Sequence, residues 1–154
     1  PYAVELRHPA FFSGGSAERT LDSILRRHAV DRVIFDSRGL WASDPADPAV
    51  RAAQERKPRL PVRLTVTGRS PVVRFVAHAE EAANRWLLRS WADQMSAWIG
   101  EGLEPFIFVH TPNEDHAPAL ARQLHRLVAA RAEVGEMPPW PTEVPGPVRQ
   151  LGLF

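Results

Sequence analysis

The sequence predicts an α/β fold, a parallel sheet covered by helices, on three observations. Four short runs of β-branched and aromatic residues are spread along the 154-residue chain. Apolar residues at helical spacing fill much of the chain between them. Strands and helical patterns alternate, and a helix between successive strands brings the chain back to the same end of the sheet, so neighbouring strands run parallel.

The first strand is predicted over residues 3–7, where Val4 and Leu6 alternate with Glu5 and Arg7. Ser16 then suits an N-cap, and Leu21, Ile24, Leu25 and His28 mark a helix ending near Ala29. The second strand is expected over residues 32–36. Between Ser37 and Ser70 a short helix is expected over 48–56, followed by the turn-prone Lys57-Pro58-Arg59-Leu60-Pro61. Val62, Leu64 and Val66 beyond it alternate as an additional strand would, with irregular chain as the equal alternative. The third strand is predicted over 72–76. The longest helix is predicted over 80–100, with Leu87, Leu88, Trp91, Met95, Trp98 and Ile99 on one stripe and Gly100 and Gly102 at its end. That stripe assigns Trp91 and Trp98 to the core. A fourth strand is expected over 106–110 and a last helix over 117–131, with Leu120, Leu124, Leu127 and Val128 inward. Residues 1–134 then form one domain, and 135–154, with Pro138, Pro139, Pro141, Pro145 and Pro147, form an irregular tail.

Composition narrows the function classes. Hydrophobic residues at 44% and charged ones at 24% fit a globular domain. No apolar run approaches the roughly 20 residues of a membrane helix, and residues 1–5 have no basic lead into an apolar core. The expectation is a cytoplasmic protein with no membrane association. The absence of cysteine removes disulfides, thiolate nucleophiles and cysteine metal sites. A net charge of +1, from 19 basic and 18 acidic residues, gives nucleic-acid binding little support. Eighteen of the basic residues are Arg and only Lys57 is Lys, a bias that fits a GC-rich coding sequence.

Glu5-Leu6-Arg7-His8-Pro9, Asp36 closing the second strand, Arg74-Phe75 in the third, and the fourth strand leading into Ala117-Pro118-Ala119-Leu120-Ala121 together resemble the C-terminal half of the YecE-like family, a domain of unknown function with a TIM-barrel-like fold. The resemblance runs from Tyr2 to about Arg131. Phe11-Phe12 stands where many members have Ser-Trp, and His110-Thr111 where many have paired Asn, which suggests a divergent subfamily. It implies about half a barrel: four strands of eight, with N-terminal strands lying outside this chain or a second copy closing the barrel.

In parallel β/α folds ligands bind beyond the C-terminal ends of strands. His8, Asp36, Arg38, His78, His110 and Asn113 fall at such ends. On the first strand Glu5 and Arg7 share a face, expected to be the barrel interior, where a carboxylate and a guanidinium need pairing. Two readings follow: an interior ion-pair network with Arg74, or a pocket floor of Glu5, Arg7, Asp36 and Arg74 binding a small anionic or sugar-like ligand. His8 is read as a general base or as a loop cap. The expected catalytic set is Glu5, His8 and Asp36, with Arg7, Arg38, Arg74, His78, His110 and Asn113 binding ligand; hydrolysis and isomerisation are the reaction classes considered. A metal held by Glu5, His8, Asp36 and His110 lacks any supporting local spacing, and no metal or cofactor is assigned. His28 and His125 are read as ordinary helix residues. Ser13-Gly14-Gly15-Ser16 is read as a flexible cap, with anion binding by its amides as the alternative. Two further readings stay open: a nucleic-acid-binding or nucleic-acid-processing barrel, from the cations Arg56, Lys57, Arg59 and Arg63, and a non-catalytic interaction domain whose Pro-rich tail docks a partner.

Overall fold

In the computed structural model, which describes residues 2–140, the β-branched runs pair as one sheet. Strands β1 (Ala3–Val4), β2 (Asp31–Asp36), β3 (Val72–Val76) and β4 (Phe106–His110) lie in the order β1-β2-β3-β4, each parallel to its neighbours. The α-helices are α1 (Ser16–Arg27), α2 (Arg38–Ala42), α3 (Pro48–Arg56), α4 (Arg85–Gly100) and α5 (Ala117–Ala129). This is the α/β architecture expected of a segment of a β/α barrel. The first strand is shorter than residues 3–7 suggest, because only Ala3 and Val4 find partners, at Asp31 and Arg32.

Alternation along the strands assigns their two faces. Ile34, Val73 and Phe75 pack under Leu87, Leu88, Trp91, Met95 and Trp98 of α4 and Leu120, Leu124 and Val128 of α5, forming the main core. Trp91 and Trp98 belong to it, their ring centroids 6.4 Å apart. The longest helix starts later than residue 80, because Glu81–Asn84 form a 3-10 turn first. The Asn84 side chain is fully buried there, accepting from His78 N and donating to the carbonyls of His78 and Glu80.

A second, smaller core lies on the opposite face. Phe35 and Val76 pack there with Leu40 of α2 and with Val50 and Ala53 of α3. The helices after β2 therefore fold over the inner side of the sheet. Gly39 permits this approach: a Cβ at that position would stand 2.4 Å from the His78 backbone nitrogen. Residues 57–71 form a strap without a strand, and its part around Val62 to Thr67 fills the outer layer between β2 and β3. Val62 and Val66 of the strap pack on the main core while Leu64 is 51% exposed, so the alternation there reflects burial and not pairing. Thr67 Oγ1 ties the strap down, accepting from Arg32 N and donating to Val30 O, both at 2.8 Å.

Ser16 is the first residue of α1 and Gly15 its N-cap, in place of the Ser16 cap predicted. His28 is the residue capping the C-terminal end of α1, and His125 lies within α5, where its Nε2 is 2.8 Å from Gly135 O. Residues 135–140 have no regular structure; the rest of the Pro-rich stretch, 141–154, lies outside the described residues. On the inner face of β4, Phe106 and Phe108 are 53% and 58% exposed.

Candidate functional site

Because the strands are parallel, their C-terminal ends gather the chain that follows β1, β3 and β4 at one side of the sheet. Glu5, just past β1, accepts from Arg7 Nε at 2.8 Å and from Arg74 Nη1 at 3.0 and 3.3 Å. Arg74 sits on β3 with β2 between it and β1, so its long side chain bridges non-adjacent strands. Burial alone would push the Glu5 carboxyl up, but the hydrogen bonds and positive charges of Arg74 and Arg7 outweigh it and hold the group below its ordinary value. Glu5 is thus a fixed carboxylate that orients two guanidinium groups.

Those groups open onto a cavity of about 400 Å³. Its walls carry Arg7 and Arg74, Arg56 and Lys57 from the end of α3, and Thr111 and Glu114 after β4. Arg74 Nε is buried and has no hydrogen-bond partner among the described residues. Lys57 is held below its ordinary value of 10.5, first by burial and then by the charges of Arg56, Arg74 and Arg7, which Glu114 only partly offsets. The sign follows from linkage: the unfolded chain holds the Lys57 proton more tightly, so the cost of the folded ammonium is full at neutral pH and fades as pH rises toward 10.5. Lys57→Met is therefore expected to raise Tm by about 2 °C at pH 7. Paired thermal melts should show that difference shrinking as pH is raised.

The remaining predicted residues separate. Glu5, Arg7 and Arg74 come together as expected, but Asp36 does not join them. Its carboxylate, fully buried, faces the helix layer: Oδ2 accepts from Trp91 Nε1 at 2.8 Å and from Arg38 Nη2 at 2.9 Å, and Oδ1 from the Arg38 backbone N–H and Nε. Four donors saturate it, so it is neither on the pocket floor nor free as a base. Arg38 is spent on Asp36 and on the Trp86 ring, whose centroid lies 5.3 Å away.

His8 caps the 3-10 turn Pro9–Phe12, its Nδ1 accepting from Ala10 N at 3.3 Å. Both nitrogens of His78 are engaged, Nδ1 accepting from Glu80 N and Nε2 standing 3.2 Å from Ala42 O, where it donates. Asn113 Oδ1 accepts from Asp115 N, capping the 3-10 turn Glu114–His116. His110 lies on β4 with Nδ1 3.3 Å from Glu114, so it reaches the cavity through that carboxylate. Among the described residues no three His, Asp or Glu side chains are grouped as a metal would need. At the Ser13–Ser16 turn, Glu18 accepts from Gly14 N at 2.6 Å, so the helix's own carboxylate takes the place an anion would have.

Arg56, Lys57, Thr111 and Glu114 are the site residues that sequence reasoning missed. Arg56 and Lys57 read as loop cations, since nothing in the spacing of α3 says that it folds inward. The isolation of the single Lys among 18 Arg was the available signal.

Comparison with known proteins places these residues in a family. The profile described as "Protein of unknown function DUF72" matches residues 1–144. The protein described as UPF0759 protein YecE is 37% identical over 143 residues in Escherichia coli K12, covering 92% of this chain and 52% of that protein. Its counterpart in E. coli O157:H7 is 36% identical with the same coverage. A crystal structure of a DUF72 family protein from Enterococcus faecalis V583 superposes with a TM-score of 0.57 over 91% of this chain and 50% of that one; at 16% identity this likeness bears on the fold alone. The chain thus spans about half the length of the relatives it matches, and no helix among the described residues is long and apolar enough to cross a membrane. By the extent of the family match and the identity to its curated relatives, the chain belongs to the DUF72 family of proteins of unknown function.

Proposed function

We propose that this chain contributes an anion-binding pocket, formed on the inner face of its sheet by Arg7, Arg56, Lys57 and Arg74, for a small phosphate- or carboxylate-bearing ligand. One observation carries the reading: among the described residues four cationic side chains line one cavity with one carboxylate, Glu114, while Glu5 is paired with two of those cations, Arg7 and Arg74. A cluster of that sign is self-repelling without an anion, and its guanidinium forks suit phosphate and carboxylate oxygens. The volume, about 400 Å³, is of small-ligand size. The sheet stands open where Phe106 and Phe108 are exposed, and we read that side as closed by further strands, such as the remaining length of the relatives would supply.

Other loop cations behind the nucleic-acid reading are engaged within the chain. Arg59 stacks over the Trp41 ring, 5.9 Å from its centroid, and Arg63 donates to Phe12 O. The test is calorimetric titration with inorganic phosphate. Arg74→Gln, which keeps a polar side chain beside Glu5, is expected to weaken binding at least tenfold, the worth of one charge-assisted contact of about 1.4 kcal/mol. Unchanged binding in a folded Arg74→Gln variant would mean that this cavity is not the anion site.

A further inference from the structure

We propose that Lys57 is a carbonyl-trapping amine, forming an imine with a small anionic aldehyde or ketone held by the guanidinium groups of Arg7 and Arg74. The inference rests on the anion-pocket reading and adds to it a reactive group and a ligand class. Lys57 shares its cavity with three arginines, in a chain that uses Arg at every other basic position. Charge alone would be served by a further Arg, which cannot give up its proton; an amine can, and then it is a nucleophile.

Placement supports the role. Lys57 caps the C-terminal end of α3, its backbone N–H donating to Ala53 O at 3.1 Å, and α3 is anchored on the inner face by Val50 and Ala53. The side chain is thereby carried on a packed element at the C-terminal side of the sheet. Of the charged groups acting on it, Arg56, Arg74 and Arg7 disfavour the ammonium and Glu114 favours it. Crowding by cations and partial burial lowers the pH at which a lysine amine sheds its proton and becomes a nucleophile.

The chemistry balances with no further reactant. The neutral amine adds to the carbonyl carbon, the carbonyl oxygen leaves as water with the two amine hydrogens, and a C=N bond replaces C=O. Arg7 and Arg74 hold the anionic end of the ligand.

Pyridoxal phosphate, an anionic aldehyde, followed by sodium borohydride and peptide mass mapping of the full chain, tests this. Borohydride delivers hydride to C=N and fixes the adduct as a secondary amine. We expect a reduced adduct on Lys57, about tenfold less with pyridoxal, which lacks the phosphate, and about tenfold less under saturating inorganic phosphate. The adduct should be absent from Lys57→Arg, with circular dichroism confirming that this variant is folded. No adduct on Lys57, or labelling confined to the terminal α-amine, while inorganic phosphate still binds, would overturn the imine role and leave the pocket standing. Equal labelling by pyridoxal and pyridoxal phosphate, indifferent to inorganic phosphate, would overturn both.

Discussion

Arg32→Met is expected to cost about 3–5 kcal/mol of stability, the largest loss among the substitutions considered. Arg32 is 2% exposed on the helix-facing side of β2. Its Nη1 lies 2.7 Å from Asp22 and 3.3 Å from Glu18, both buried on α1, its Nη2 donates to Phe11 O, and its guanidinium stands 5.0 Å from the Phe12 centroid. One cation thus serves two buried carboxylates. Met fills similar volume but leaves two like charges facing each other under α1, with Arg63, 3.5 Å from Glu18 and partly exposed, as the remaining cation. Urea denaturation of both proteins at pH 7 reads the difference; a cost below about 1 kcal/mol would mean that water already serves these carboxylates.

Asp36→Ala follows, with an expected cost of about 3 kcal/mol. The substitution strands the Trp91 indole N–H inside the main core and removes the counterion of Arg38. Asp36→Asn should fall between the two, because it keeps an acceptor for Trp91 while losing the charge. Neither change should alter phosphate affinity in the folded protein, since Asp36 faces away from the cavity. An affinity loss of tenfold or more in folded Asp36→Asn would return this residue to the pocket and contradict its assigned role.

The contrast between Glu5 and Asp36 shows what the sequence could convey. Around Glu5 and Arg7 the alternation with Val4 and Leu6 separates one polar face cleanly, so their shared position with Arg74 was legible. In β2 both faces are buried, Val33 and Phe35 on one side and Arg32, Ile34 and Asp36 on the other, and a strand apolar on both faces does not announce which side its terminal carboxylate takes. The same limit applies to α3. Val50 and Ala53 mark an apolar stripe, and a stripe reads alike whether the helix covers the outside of the sheet or its inside. That ambiguity hid Arg56 and Lys57. The strap at 57–71 misled in a different way, since Val62 and Val66 alternate for burial against α4 and the sheet without a neighbouring strand to pair with.

Anion binding in the Arg7–Arg56–Lys57–Arg74 cavity is directly testable through the single lysine. With lysine alone isotopically labelled, Lys57 supplies the only side-chain signal, so an NMR titration with inorganic phosphate reports on the cavity without assignment. A saturating shift of that signal is expected in the native chain, and its loss in Arg74→Gln. A Lys57 signal that stays unmoved by phosphate, or that shifts identically in both proteins, would contradict it.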